Sequence, residues 1–168
     1  KPKTMSKMRQ IIAQRLTDSY QSSPHFFVTV AADLTDLLAF RQECKKQGLK
    51  YSVTDFIMKS VVMALKEFPA VNSTTDGTAV SWHSQVNLGL AVALESGLVV
   101  PNIRCAEELS LAELHDEAAE LTVKARDGKL SPDQMTGSTC TISNMGMLYV
   151  ENFTAIINPG ESAILAVS

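Results

Sequence analysis

The sequence predicts an α/β or α+β protein in which helices pack on a sheet. The first observation behind this prediction is that segments with helical periodicity alternate with short apolar, β-branched runs along the whole chain. The second is composition, because 168 residues with 45% hydrophobic and 20% charged side chains suffice for one domain with its own core. No internal repeat or linker divides the chain, so residues 1–168 are expected to form a single domain.

Four segments carry the periodicity and the end signals of α-helices. Their predicted bounds are residues 5–20, Asp33 or Thr35 to Cys44, residues 52–66, and Ser110 to about Arg126, with a further single turn beginning at Ser131-Pro132. The third and fourth helices have clear start signals, because Ser52 with Asp55 and Ser110 with Glu113 have the spacing of a capping box.

Short segments rich in apolar and β-branched residues are predicted as strands. They are residues 26–32, 71–74, 79–82, 86–94, 98–103, 139–144 and two apolar runs within 153–168. Asp76-Gly77 predicts a hairpin between the second and third of these. The almost wholly apolar run 86–94 predicts a strand covered on both faces. Pro101 predicts a sheet edge or the end of a strand.

Charge and cysteine usage narrow the class of function. The net charge of −3 gives no indication of nucleic-acid binding. No apolar run reaches the ~18 residues that a membrane span needs, so a membrane partner is not expected either. Cys44, Cys105 and Cys140 are widely spaced and match no zinc or CxxC pattern, so no metal site is expected. Free thiols in a reducing compartment are the expected state.

Few residues suggest chemistry by themselves, because the dinucleotide, Walker, zinc-protease and hydrolase motifs are all missing from the sequence. His115 lies between acidic residues on a helix and is expected to be solvated, and His83 is expected at the surface near the hairpin. His25 is expected to be a packed or hydrogen-bonded structural residue. Ser143 ends a strand before a turn, where its hydroxyl could donate to a developing oxyanion or simply serve the turn.

The C-terminal stretches 139–146 (TCTISNMG) and 153–168 (FTAIINPGESAILAVS) carry the most information. They resemble the catalytic core of the dihydrolipoamide acyltransferases, the central subunits of 2-oxo-acid dehydrogenase complexes. Further similar stretches follow in the family's order: residues 8–16, 24–26, 51–56, 97–101 and 124–130. The similarity is greatest to the pyruvate-type, acetyl-transferring branch.

The resemblance implies a chloramphenicol-acetyltransferase-like fold, a mixed sheet flanked by helices. It implies transfer of an acetyl group between dihydrolipoamide, carried on a separate lipoyl domain, and coenzyme A. It also implies a homotrimer with active sites at subunit boundaries, assembled into a larger cubic or icosahedral core with other dehydrogenase-complex subunits. Bacterial cytoplasm or mitochondrial matrix would be the compartment.

The resemblance also assigns roles to individual residues. Ser143 matches the serine that stabilises the oxyanion, and Ser143 and Asn144 match positions that line the coenzyme A site. Arg41 matches an arginine that contacts coenzyme A. Ser52 matches another coenzyme A contact, although its position equally explains it as a helix cap. Ser168 aligns with a backbone contact to the cofactor.

One departure from the family is decisive for activity. The family's general base is a histidine in an Asp-His-Arg motif, and no Asp-His dipeptide occurs in this sequence. The chain is therefore expected to be a truncated core without appreciable acyltransferase activity of its own. The alternatives are a catalytically dead relative that serves assembly or docking in such a complex, and a stand-alone coenzyme A-binding domain.

Overall fold

The computed structural model describes residues 4–95 and 97–168. Within these residues four α-helices confirm the four predicted segments, with bounds that differ by a few residues. They are α1 Lys7–Ser22, α2 Thr35–Lys46, α3 Val53–Glu67 and α4 Leu111–Arg126. Both predicted capping boxes are present, at the starts of α3 and α4. Short 3-10 helices follow at Pro132–Met135, where the sequence predicts a single turn, and at Gly146–Leu148.

Eight short strands lie in the same described residues: β1 Ser73–Thr75, β2 Val80–Trp82, β3 Leu88–Leu90, β4 Val92–Leu94, β5 Gly97–Val99, β6 Asn102–Ile103, β7 Cys140–Asn144 and β8 Ile164–Val167. The central sheet has the order β6-β3-β7-β8 and is mixed, because β6 is antiparallel to β3 whereas β3, β7 and β8 run parallel. The pairs β1–β2 and β4–β5 are separate antiparallel hairpins, and the first is the hairpin predicted at Asp76-Gly77.

The prediction of a strand over residues 26–32 is wrong. No described strand pairs with this segment, and the side chains of Phe26, Val28 and Val30 are 87%, 71% and 81% exposed. Its β-forming composition is real, but a strand also needs a neighbour whose backbone accepts and donates the ladder hydrogen bonds. Composition alone cannot show whether such a neighbouring strand is present.

Two predicted strands are each divided in two. The run 86–94 breaks at Ala91, so that β3 joins the central sheet and β4 joins the hairpin with β5. The run 98–103 breaks before β6 at Pro101, which has no N–H to donate and instead accepts a hydrogen bond of 2.9 Å from the Leu90 N–H. The strand end predicted at Pro101 is thereby confirmed.

Only the second apolar run of 153–168 is a strand. Residues 153–157 form no strand, and the backbone of Ile157 bonds to side chains instead. Its N–H donates to His25 Nε2 over 3.0 Å, and its carbonyl accepts from Ser19 Oγ over 2.5 Å. His25 is thus the hydrogen-bonded structural histidine that the sequence predicts.

The hydrophobic core lies between the central sheet and helices α3 and α4. Its fully buried side chains, each at most 1% exposed, are Met58, Val62, Leu88, Ile103, Ala106, Leu114, Leu121 and Ile142. Ile142 belongs to β7, so the strand that ends in Ser143 and Asn144 is anchored by the packing of Ile142 in the core. Across residues 4–95 and 97–168 no helix combines the length and hydropathy required to cross a bilayer.

Candidate functional site

Ser143 lies near the carboxyl end of β7 with a free hydroxyl. It pairs in register with Ala166 of β8 and is half-buried. Its Oγ makes no hydrogen bond to any residue that the structure describes. A serine hydroxyl without an internal partner, on a strand fixed by the core, can donate to a ligand without first breaking a protein contact.

Asn144 connects the end of β7 to the start of α3. Its Nδ2 donates to Thr54 Oγ1 over 3.0 Å, and its Oδ1 accepts from the Gly146 N–H over 2.9 Å. The second bond is the turn chemistry expected of Ser-Asn before a glycine. The amide therefore has a structural task whatever else it contacts.

Arg41 reaches the same helix start from α2. Its Nε donates to the Tyr51 carbonyl over 2.7 Å, and the side chain is half-buried. The Nη1 and Nη2 groups make no hydrogen bond or ion pair with any described side chain or backbone group. One edge of the guanidinium is thus fixed while the other remains able to bind an anion.

Ser52 is the N-cap of α3, as one of its two interpretations predicts. Its Oγ accepts from the Asp55 N–H over 3.2 Å, and Asp55 Oδ2 accepts from the Ser52 N–H over 2.6 Å. The expectation that His115 is solvated is wrong, because its Nδ1 lies 2.8 Å from the same Asp55 oxygen. Asp55 is only 3% exposed, and buried polar atoms are nearly always hydrogen-bonded. His115 supplies one of the donors to this oxygen.

Ser168 follows β8 and lies beside the turn after β7. Its Oγ donates to the Glu151 carbonyl over 3.0 Å, and the neighbouring Val167 carbonyl accepts from the Met145 N–H over 2.8 Å. A methyl group placed on Gly146 would lie 3.6 Å from the carbonyl carbon of Ser168. The structure therefore brings all five sequence-predicted positions to one region, where the start of α3 meets the ends of β7 and β8.

The sequence analysis missed a polar cluster that joins Thr141 of β7 to Ser138, Asn158 and Glu161. Glu161 Oε1 accepts from Ser138 Oγ over 2.5 Å and from Thr141 Oγ1 over 2.8 Å, while Asn158 Nδ2 donates to Thr141 Oγ1 over 2.8 Å. Glu161 Oε2 is buried without a partner among the described residues. The one available signal was an acidic residue inside the otherwise uncharged tail 153–168.

The remaining titratable groups among the described residues form no further centre. His83 is half-buried rather than at the surface, and its Nε2 is buried without a described partner. Among the described residues no group of three or more His, Cys, Asp or Glu side chains could hold a metal ion.

The three thiols are expected to differ strongly in reactivity. Cys44 and Cys140 are buried, and burial, with a smaller effect of the Glu161 charge, raises the pKa of Cys140 to about 12. Cys105 is only partly buried. Because the thiolate is the reacting species, an aromatic disulfide reagent should titrate Cys105 first in the folded protein, and the other two only on unfolding.

The variant Cys105→Ser should therefore lose the fast phase and keep two slow thiols. A fast phase that survives in this variant would contradict the assignment. Far-UV circular dichroism on the same sample checks that the fold is retained.

The comparison with protein families identifies the class of protein as an acyltransferase catalytic domain. The chain belongs to the acyltransferases of the 2-oxoacid dehydrogenases, since the family model for their catalytic domain matches residues 1–168. This confirms the family indicated by the sequence motifs.

Relatives and a solved structure agree with this membership. The chain is 41% identical over 167 residues to the dihydrolipoyllysine-residue acetyltransferase component of the pyruvate dehydrogenase complex of Zymomonas mobilis, covering 97% of this chain and 38% of that protein. It is 40% identical over 166 residues to the mitochondrial counterpart of Schizosaccharomyces pombe, covering 97% and 34%. The solved cubic core of the pyruvate dehydrogenase multienzyme complex superposes with a TM-score of 0.93 at 39% identity, covering 99% of this chain and 71% of that chain.

The chain thus spans less than half the length of the curated relatives that it matches. The comparison with the solved core confirms the predicted mixed α/β fold of helices on a mixed sheet. The relatives include bacterial and mitochondrial components.

Proposed function

We propose that this chain takes part in transferring an acetyl group between dihydrolipoamide and coenzyme A, as a core component of a 2-oxo-acid dehydrogenase complex. The observation that carries the proposal is the meeting of Arg41, Ser52, Ser143, Asn144 and Ser168 at one end of the sheet. Acetyl-coenzyme A would be the soluble partner in the reaction, and lipoamide would arrive on a separate lipoyl domain.

Arg41 and Ser143 fit the two ends of such a substrate. The free Nη groups of Arg41 suit the phosphates of coenzyme A, for which planar, bidentate donors are well matched. The free Ser143 hydroxyl suits the thioester carbonyl. During transfer the attacking thiolate forms a bond to the carbonyl carbon, the oxygen gains negative charge, and the bond to the leaving sulfur then breaks. A donor to that oxygen typically lowers the barrier by about 3 kcal/mol.

The attacking thiol must also lose its proton to a general base. Both ring nitrogens of His25 are engaged, with the Ser23 carbonyl and the Ile157 N–H, and His115 Nδ1 is bound to Asp55. His83, the third histidine, follows β2 in a hairpin that is separate from the central sheet. We propose that the base is supplied by a histidine outside these 168 residues. The purified chain should then bind coenzyme A without turning it over.

The assembly is part of the same proposal. The chain would form a homotrimer within a larger cubic or icosahedral core, together with lipoyl domains and other complex subunits. The compartment would be bacterial cytoplasm or mitochondrial matrix. The exposed apolar side chains of residues 26–30 support the presence of a neighbouring subunit.

Coenzyme A binding to the purified chain tests the proposal directly. We expect Arg41→Ala to weaken binding by about 10- to 100-fold in isothermal titration calorimetry, because a charge-assisted hydrogen bond contributes about 1.5–3 kcal/mol. Arg126→Ala is the matched control, since Arg126 is exposed at the end of α4. Pantetheine, which lacks the phosphates, should bind wild type and Arg41→Ala equally.

Two results would contradict the proposal. The first is an absence of coenzyme A binding to the wild-type chain. The second is acetyl transfer by the purified chain that Ser143→Ala abolishes, because a base within these residues would then have to exist.

A further inference from the structure

The polar cluster around Glu161 includes Thr141, which lies on the strand that carries Ser143. Side chains two residues apart on a strand point to the same face, so Thr141 and Ser143 share one face of β7. Thr141 is fully buried and Ser143 is half-buried. The hydroxyl that Glu161 holds is therefore the neighbour of the hydroxyl that would contact the acyl donor.

Glu161 also fixes the approach of β8 to β7. It lies three residues before β8, and its carboxyl group bonds to Thr141 at the beginning of β7. At the other end of the strand pair, the Met145 N–H donates to the Val167 carbonyl. Ser143 stands between these two ties, which add to the strand pairing that sets its register with Ala166. A slip of one residue would turn Ser143 to the opposite face.

Only one oxygen of the Glu161 carboxyl group accepts hydrogen bonds from the described residues. Two hydroxyl donors converge on Oε1, whereas Oε2 is buried and meets no described donor. Burial raises the pKa of Glu161, while the hydrogen bonds from Ser138, Thr141 and Asn158 lower it. The charge of Glu161 also contributes to the raised pKa of Cys140. A neutral side chain with one acceptor oxygen, such as glutamine, therefore satisfies the same donors.

We propose that Glu161 is a positioning residue for Ser143, holding β7 through Thr141 so that the Ser143 hydroxyl meets the thioester carbonyl of a bound acyl donor. This inference rests on the proposed function, because it takes Ser143 as the donor to that carbonyl. Glu161 itself touches Thr141 and Ser138 and acts on the substrate only through the strand.

The test is the carbonyl resonance of acetyl-coenzyme A, labelled with carbon-13 at the carbonyl carbon and bound to the whole chain. A hydrogen bond to the carbonyl oxygen moves this resonance downfield, so wild type should show a shift that Ser143→Ala removes. Glu161→Ala should lose most of the shift. Glu161→Gln should keep it, as should the control Glu67→Ala, which removes an exposed carboxylate at the end of α3.

Two outcomes overturn different claims. If Ser143→Ala removes the shift and Glu161→Ala retains it in full, Glu161 is not a positioning residue, and the proposed function stands. If Ser143→Ala leaves the shift unchanged, Ser143 is not the donor, and the proposed function loses its oxyanion group.

A second pair of variants covers poor folding of Glu161→Ala. Thr141→Val removes only the bridging hydroxyl and should lose the shift, and Thr141→Ser should restore it. Glu161→Gln should unfold at the same or a higher temperature than wild type at neutral pH. The reason is that a raised pKa gives stability that is present below the unfolded value of 4.5 and is lost as pH rises through the folded pKa.

Discussion

Replacing Gly89 by alanine should lower the free energy of unfolding by about 2–4 kcal/mol, the sum of core overpacking and broken hydrogen bonds. Gly89 is the middle residue of β3, and a methyl group there would overlap Thr141 Oγ1. It would also lie 2.9 Å from Val100 Cγ1 and 3.2 Å from Ser138 Cβ. Thr141 cannot rotate away without breaking its bonds to Glu161 and Asn158. Urea denaturation measures the loss.

A double-mutant cycle separates this clash from other causes. Thr141→Ala removes the overlapping oxygen, so Gly89→Ala should cost much less in that background than in wild type. Gly48→Ala is a useful comparison, because Gly48 has open space around it and its positive φ of 86° makes the cost conformational rather than steric. Equal losses for Gly89→Ala in both backgrounds would show that the Thr141 contact is not the reason.

The helices were predictable because their signals are local. Ser52 with Asp55, and Ser110 with Glu113, are three residues apart, and each pair forms a reciprocal cap whatever the rest of the chain does. The hairpin at Asp76-Gly77 was predictable for the same reason. In each case the partners that decide the structure lie within a few residues of each other.

The errors arose where the deciding partner is distant in sequence. The apolar run 86–94 gives no hint that its halves belong to different sheets, since β3 pairs with β7 and β4 pairs with β5. Composition cannot show that residues 26–32 lack a ladder partner. His115 was misplaced for the same reason, because it bonds to Asp55, 60 residues earlier in the chain.

The candidate site was also predictable only in part, and its tertiary contacts were the part that the sequence did not show. From residue chemistry alone Ser143 could equally have served the turn, and the family motifs supplied Arg41, Ser52, Asn144 and Ser168. Their meeting depends on the bond from Asn144 to Thr54 and on the pairing of β7 with β8, which are tertiary contacts. The Glu161 cluster was missed because a glutamate exposed in a turn and a glutamate bonded to a strand residue have the same sequence signature.

Asp55 is the residue whose loss should most disturb the start of α3. Its Oδ2 is approached by the Ser52 N–H at 2.6 Å, Ser52 Oγ at 2.9 Å and His115 Nδ1 at 2.8 Å. Because Asp55 is 3% exposed, Asp55→Ala would leave these donors without a buried acceptor. We expect a loss of about 3 kcal/mol in urea denaturation, against about 1 kcal/mol for Ser52→Ala, which removes only the cap.

Asp55→Ala should also weaken coenzyme A binding, and by more than its loss of stability would suggest. Ser52 and the Tyr51 carbonyl that holds Arg41 both stand at this helix start, so a frayed first turn of α3 releases the guanidinium as well as the cap. His115→Ala in the Asp55→Ala background should then cost little beyond the single change, since their shared contact is already lost. Full additivity of the two substitutions, in stability and in coenzyme A affinity, would show that the His115–Asp55 contact does not hold the helix start. In that case the capping box alone would have to position Arg41.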